Sequence, residues 1–350
     1  MIDAATGLTG RGHVCALLGR PETPWLTAAR SSGLRVHGDI HGTWAQRVLR
    51  VRRAMVAERP DCVVTKAKKL ARMAAFGRAT GGGGRVVLFF GLTHELRAAQ
   101  WIDRFTWRRV DAGIVVADEA ARWYVAEGFG PPAKLHTLWK GVDTDVFTPD
   151  AAARVAMRAA LGLQDDVLAV ATVGRLAWQK GLDTFIAAVA RARARLPAAR
   201  FFVIGGGRDA DQVAAATAAP ELGGAVTLLG QRGDVPALLA AMDIVVQSSR
   251  QEVMAQTTLE AMAVGCPVIS TRTMGAAEAI EDQVSGVLIP VEDADAIAAE
   301  MVALAADPAR RARLGAAARA RILAAFTTQH TLDRCEALFH SLLPTTRAAG

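Results

Sequence analysis

Two glutamates, Glu252 and Glu260, stand eight residues apart in SSRQEVMAQTTLEAMAVGCPVIS, residues 248–270. On one continuous helix that separation turns through about 800° and leaves the side chains some 80° apart, so a shared helical face does not explain it. The pattern predicts instead a loop carrying Glu252 after the strand DIVVQSS. A helix then opens near Thr257 and stops at Gly265 and Pro267. A helix start offers N–H groups to a phosphate, and flanking carboxylates accept hydrogen bonds from sugar hydroxyls. Each acid also has a plainer reading. Thr257-Thr258-Leu259-Glu260 has the form of a capping box in which Glu260 returns to the N-cap amide, and Glu252 reads equally as an exposed loop acid. Upstream, GRLAWQKG places Arg175 and Lys180 just past the end of the strand VLAVATVG. Two cations there can clamp a diphosphate, or stand as solvated loop charges.

Positioning these groups requires strands that end where the loops begin. Short apolar runs recur along the chain: HVCALLG at 13, CVVT at 62, RVVLFFG at 85, GIVVA at 113, VLAVATVG at 167, RFFVIGGG at 200, VTLLG at 226, DIVVQSS at 243, PVIST at 267 and GVLIPV at 286. They are apolar throughout rather than alternating, which suits strands buried on both faces of a parallel sheet. Helical patterns such as GLDTFIAAVARARARL lie between them, so the order predicts βα repeats and doubly wound sheets. The polar stretch KGVDTDVFTPDAAARVAMRAALGLQDD separates two such series, predicting domains over 1–145 and 146–327. A lone helix follows over 328–350. Of the glycine clusters, GGGG at 81 reads as a loop, whereas GGG at 205 follows a strand, where backbone can approach a phosphate. No G-x-G-x-x-G follows either, which disfavours a dinucleotide oxidoreductase.

At 350 residues and 51% hydrophobic content the chain is long enough for two packed domains. Up to Asp150 it carries 22 basic and 14 acidic residues, a net of +8, and the remainder carries −1. A basic first half favours an anionic partner, although a solvated basic surface accounts for the charge equally well. The basic stretch QRVLRVRRAMVAERP has the composition of a helix able to touch anionic lipid. Cys15, Cys62, Cys266 and Cys335 form no C-x-x-C pair, which argues against a disulfide framework or a zinc site and fits a reducing cytoplasm. No apolar run approaches the roughly 20 residues that span a bilayer. Basic residues interleaved with aromatics, the mark of a nucleic-acid surface, are also lacking; Trp101 and Trp107 near Arg104, Arg108 and Arg109 read as a helix packing face.

The stretches TVGRLAWQKGLDTFIAAVA, VTLLGQRGDVPALLAAMDIVVQSSRQE and EAMAVGCPVIST, followed by GAAEAI and GVLIPVEDADAIA, resemble the donor-binding half of glycosyltransferase family 4. These are retaining enzymes of the GT-B fold. The resemblance runs nearly continuously from about Leu138 to about Val302 and is looser in the first half. It implies an α/β chain of the GT-B class: two doubly wound Rossmann-like domains facing a cleft, with the last helix packing back towards the first. By position, Arg175 and Lys180 match the basic pair that contacts the donor diphosphate and stabilises its growing charge. Glu260 matches the acid that holds the ribose, and Glu252, the third residue expected to act in catalysis, matches the one facing the donor sugar. Backbone around Gln256, Thr257, Thr258 and Leu259 would meet the phosphates, Gly174 would admit the ligand, and the turn at Gln231 and Arg232 would lie near the base.

Three departures from the family pattern shape further expectations. Val253 stands where a glycine usually follows the first glutamate, which predicts an altered loop if that glycine uses positive φ. The opening MIDAATGLTGRGHV resembles the end of the family's first helix, so the first domain is expected to lack its first strand. Phe90-Gly91 stands where an acceptor-side histidine is common, leaving His94 as a candidate proton relay or sugar contact and Arg97 as a contact for an anionic acceptor.

Together these imply a metal-independent hexosyltransferase without a cofactor, moving sugar from a UDP- or GDP-linked donor to a cell-envelope saccharide or lipid-linked acceptor. The expected location is the cytoplasm, with peripheral contact at the anionic inner membrane face, and nucleic acid is not an expected partner. A degenerate sugar-nucleotide-binding paralogue and a GT-B nucleotide-sugar epimerase are the alternatives.

Overall fold

Strands that are apolar at every position need a packed layer on both faces, and the chain meets that need with parallel sheets flanked by helices. The computed structural model describes residues 2–20, 23–38, 40–89 and 105–344. It divides into two units, Met1–Trp139 with Gln329–Gly350, and Lys140–Thr328.

The first unit holds β1 (Ala16–Leu18), β2 (Arg35–His37), β3 (Cys62–Thr65), β4 (Arg85–Phe89), β5 (Ala112–Val115) and β6 (Leu135–Thr137). All pairings are parallel, but they form two sheets, β1-β2 and β3-β4-β5-β6. Among the described residues β1 and β3 are therefore each paired on one side only. Their burial follows suit: Cys62 to Val64 are half-buried, whereas β5, inside its sheet, is buried throughout. The run HVCALLG forms a strand only over its last apolar residues. The helix Thr328–Leu342 sets Leu332, Cys335 and Leu338 into a cluster with Leu8, Val87, Ala112, Ile114 and Leu138. Arg11, just past the helix Ile2–Gly10, pairs with Asp333 and Glu336 on the same stretch of the helix Thr328–Leu342, both at 2.7 Å.

The second unit is a six-stranded sheet of β7 (Ala169–Val173), β8 (Arg200–Ile204), β9 (Val226–Gly230), β10 (Ile244–Gln247), β11 (Val268–Thr271) and β12 (Val287–Ile289). The order is β12-β11-β10-β7-β8-β9, and every pairing is parallel. The chain begins in the middle at β7, winds outward to β9, then returns to the other side of β7 with β10. The reversal lies between β7 and β10, and ligands of open α/β sheets bind outside the carboxyl ends of the strands at such a point. Helices Leu182–Ala192 and Ala294–Ala306 cover one face, burying Phe185, Leu304 and Met301 against Phe201, Val203, Ile244 and Ile269. Each fully buried side chain of this size contributes roughly 1.5–3 kcal/mol.

One polar cluster fixes the feet of the two central strands. Asp243 precedes β10 and accepts from the Ala169 amide of β7 at 2.8 Å. Its carboxylate also pairs with Arg154 at 2.6 Å and with Arg158 at 3.3 Å. Arg158 is buried; its two terminal nitrogens also donate to the carbonyls of Ala241, Gln164 and Val167, while its Nε has no partner among the described residues.

Candidate functional site

Two loops at the sheet reversal, together with the helix that the second one enters, carry most of the predicted residues. The first leaves β7 as Gly174-Arg175-Leu176, passes through a turn of 3₁₀ helix at Trp178–Lys180 and enters the helix Leu182–Ala192. The second leaves β10 as Ser248 to Ala255 and enters the helix Gln256–Ala263. The first loop is seated on the glycines after β8. A Cβ on Gly205 would lie 1.8 Å from the Gly174 carbonyl oxygen, and Leu176 donates its amide to the Gly206 carbonyl at 3.0 Å. The cluster GGG thus serves close backbone approach between two loops, a use that its position after a strand did not distinguish from phosphate binding.

Lys180 folds back over Gly174, with its Cε 3.4 Å from where a Cβ would sit, and pairs with Glu252 across the two loops at 3.1 Å. Both side chains are largely buried. Arg175 is exposed and makes neither a hydrogen bond nor an ion pair with the described residues. A lysine, an unengaged arginine and a carboxylate therefore stand in the two loops at the sheet reversal.

The helix behind them opens at Gln256, one residue before the expected start, with Ala255 as its N-cap. Alanine has no side-chain oxygen, so the first-turn amides gain no cap from it. The capping box is absent: Thr257 lies inside the helix and donates to Gln247 Oε1 at 3.0 Å, and no side chain caps the helix start. Thr258 Oγ1 is buried and has no hydrogen-bond partner among the described residues. Leu259 is fully buried, and its amide donates to the Ala255 carbonyl at 3.4 Å. Free amides and an orphaned hydroxyl at one helix start suit an anion.

Glu260 lies one turn further in, mostly buried. Burial pushes its carboxyl above the ordinary 4.5, while a hydrogen bond from Gln256 and the charge of Lys140 oppose the rise. Lys140 is held by the Met254 carbonyl at 3.1 Å, and Gln256 also reaches the Gly141 carbonyl at 3.2 Å. A carboxylate kept partly dry can accept hydrogen bonds from a ligand's hydroxyls. The sequence reading missed Lys140, although it falls within LWKGVDTDVFTP, because a single lysine before a glycine carries no spacing signal.

Val253 does not occupy positive φ, so the backbone conflict expected of a β-branched residue there does not arise. Its carbonyl rests instead over Gly275, where a Cβ would lie 2.0 Å away. Arg232 stands apart from the central group, in the turn after edge strand β9, engaged with Asp234 at 2.6 and 2.9 Å. Gln231 beside it lies over Gly206, where a Cβ would be 3.5 Å from the Gln231 Cβ. His94 and Arg97 lie outside the described residues.

Comparison with known proteins gives this geometry a context. Residues 154–321 match the family model described as glycosyl transferases group 1. The chain has the GT-B fold, and the segment that matches the family model lies within its second unit. Among relatives, a GDP-mannose-dependent alpha-(1-6)-phosphatidylinositol monomannoside mannosyltransferase of Mycolicibacterium smegmatis is 35% identical over 232 residues, covering 62% of this chain and 60% of the relative. A D-inositol 3-phosphate glycosyltransferase of Mycobacterium avium is 36% identical over 230 residues, covering 64% of this chain and 53% of the relative. The chain thus spans little more than half the length of these relatives. Among solved structures, a glycosyltransferase from Rickettsia africae superposes with a TM-score of 0.87 at 15% identity, covering 99% of this chain and 94% of the other. Anabaena Alr3699/HepE in complex with UDP superposes with a TM-score of 0.85 at 20% identity, covering 97% and 94%. At such identities the likeness concerns the fold. The matched segment contains both loops, the Lys180–Glu252 pair and Glu260. Among the described residues no group of His, Cys, Asp and Glu is arranged to hold a metal ion, and no helix is long and apolar enough to cross a membrane.

Proposed function

We propose that this chain is a retaining, metal-independent glycosyltransferase of family 4, using a nucleoside-diphosphate hexose as donor. The observation that carries the reading is the Lys180–Glu252 pair at the sheet reversal, 3.1 Å across two loops, beside the unengaged Arg175 and the uncapped start of Gln256–Ala263. A nucleotide-activated sugar already has a good leaving group, and what slows its departure is the negative charge growing on the diphosphate. Arg175, Lys180 and the amides of Gln256 and Thr257 are placed to stabilise that charge, with Thr258 Oγ1 as a further donor. On binding, the diphosphate displaces Glu252 from Lys180, which frees the carboxylate to accept from the sugar's hydroxyls. Glu260, steadied by Gln256, takes the ribose hydroxyls, and Arg232 lies on the side of the base.

The acceptor is a saccharide or lipid-linked glycan of the cell envelope bearing negative charge. Support comes from the net +8 of the first 150 residues and from relatives whose names specify phosphatidylinositol monomannoside and inositol 3-phosphate. The helix Trp44–Glu58 exposes Trp44 and Leu49 among Arg47, Arg50 and Arg53, a composition suited to peripheral contact with an anionic membrane from the cytoplasmic side. Release of the chain from anionic vesicles by salt is the expected result; binding indifferent to salt contradicts electrostatic docking.

The deciding experiment is a calorimetric titration of the chain with UDP, GDP and their hexose conjugates, alongside Arg175→Ala. Binding of one nucleotide series, weakened about tenfold or more in the variant, identifies the base and supports the donor site. Binding to none contradicts the reading, and binding with no turnover on any acceptor selects a sugar-nucleotide-binding paralogue. Conversion of the donor without acceptor selects an epimerase.

A proton-linked signature should accompany binding. Empty, Glu260 holds its proton to higher pH than an unfolded glutamate does, so its contribution to stability falls as pH rises from the ordinary 4.5 through the raised value. Ribose hydroxyls donate to the ionised form, so binding in that window releases protons and weakens as pH falls. Just above pH 4.5, the observed enthalpy of binding a nucleotide-hexose should differ between buffers of unequal ionisation enthalpy, and the difference should vanish in Glu260→Gln. Equal enthalpies in the unmodified chain rule out this role for Glu260.

A further inference from the structure

The two loops that carry Lys180 and Glu252 are joined by a side chain to which neither the spacing argument nor the family resemblance assigns a role. Arg250 is only 12% exposed along its side chain, although its two carboxylate partners, Asp183 and Glu292, are 66% and 60% exposed. Its guanidinium donates to Asp183 at 2.8 and 2.6 Å, to Glu292 at 2.5 Å and to the Trp178 carbonyl at 3.1 Å, and lies 5.4 Å from the Trp178 ring centroid. Its own amide donates to the Gln179 carbonyl at 2.8 Å, and the Gln251 amide reaches the same oxygen at 3.3 Å. These backbone bonds stand next to the functional pair, because Lys180 follows Gln179 and Glu252 follows Gln251. Ser248 adds a bond to the Lys180 carbonyl at 3.1 Å.

We infer that Arg250 is a positioning residue: it locks the loop after β7 to the loop after β10, and so sets the separation of Lys180 and Glu252 at the diphosphate site. The inference rests on the donor-site reading above. Only arginine supplies a planar fork of five donors able to hold a bidentate carboxylate, a second carboxylate and a carbonyl together; lysine cannot span the three. Asp183 answers in kind, since the hydrogen bond from Arg250 holds its carboxyl below the usual range. Glu292 has φ of 64°, a left-handed backbone that a non-glycine residue rarely adopts, and its carboxylate is held by Arg250. Charge pairs placed this way orient a cation with little room to drift, which an interaction with a diphosphate demands.

A positioning role predicts coupling rather than a simple loss, so the test is a double-mutant cycle read by calorimetric binding of UDP and GDP. Arg250→Met should weaken the preferred diphosphate about tenfold, and Asp183→Asn about threefold, with melting temperatures close to that of the unmodified chain. Once Lys180→Met is in place, adding Arg250→Met should cost no more than about twofold further, because its effect passes through Lys180. Should Arg250→Met fold poorly, Asp183→Asn enters the same cycle, since Asp183 is exposed and its loss leaves the core untouched. Additive losses, or diphosphate binding in both variants equal to that of the unmodified chain, overturn the inference while leaving the donor site standing. Failure of the unmodified chain to bind either diphosphate instead removes the donor site, and this inference with it.

Discussion

Turnover of the Lys180→Ala variant is expected to fall by on the order of 10²–10³, the usual consequence of deleting one fixed donor that meets charge developing in the transition state. Lys180 is mostly shielded from water and 3.1 Å from Glu252, so its cation is prepositioned and acts in a medium of lowered dielectric. The same substitution leaves Glu252 without its partner near the incoming phosphates, adding repulsion to the lost attraction. Lys180→Arg should rescue little, because a planar guanidinium presents its donors differently from the compact ammonium that folds back over Gly174. Steady-state kinetics with the donor identified by titration provide the check. A fall in kcat and in kcat/KM together marks an interaction made in the transition state. A rise in KM alone would show that Lys180 only holds the ground state and would remove it from the chemistry.

Removal of the Asp243 carboxylate is expected to cost about 3–5 kcal/mol, the range for breaking a buried ion pair from one side. In Asp243→Ala the buried Arg158 loses its counter-charge, Arg154 loses its partner, and the Ala169 amide at the foot of β7 loses its acceptor. In a unit of this size a loss of that magnitude lowers the melting temperature on the order of 10 °C. Asp243→Asn keeps an acceptor oxygen for Ala169 and should fall between the two. Chemical denaturation of the three proteins at pH 7 reads the result directly. An alanine variant as stable as the unmodified chain would mean that Arg154 and Arg158 are satisfied by backbone carbonyls alone.

Much of the architecture could be read from residue order, since strands apolar at every position have few ways to be buried. DIVVQSS, PVIST and RFFVIGGG each contain their strand within a residue or two. β2 and β6 escaped because Arg35–His37 and Leu135–Thr137 hold three residues each, with a polar or charged residue in both, and so produce no apolar run. The start of the helix Gln256–Ala263 was misread by one residue because Thr257 is a better cap by type than Ala255. Thr257 is occupied instead with Gln247, a tertiary contact invisible to local propensity. The same limit hid Arg250 and Asp243. Each acts through partners tens of residues away, and a charged residue in a loop or before a strand looks the same whether it is solvated or locks two elements together. Glu252 and Glu260 were legible because their eight-residue spacing conflicts with a single helix.

The pairing of β7 with β10 has a kinetic consequence. Ala169 and Asp243 are 74 residues apart in sequence, and Asp183 and Arg250 are 67 apart. β7, β8 and β9 can assemble as neighbours in chain order, but Lys180 meets Glu252 only after the chain has closed that long excursion and inserted β10 beside β7. Closure over such a span is paid in entropy before its contacts form, so it belongs to the slow part of folding. A nucleotide recognised by both loops has nothing to bind on the half-built sheet. Added during refolding, it should increase the final amount of native protein through mass action without shortening the time that the native protein takes to appear.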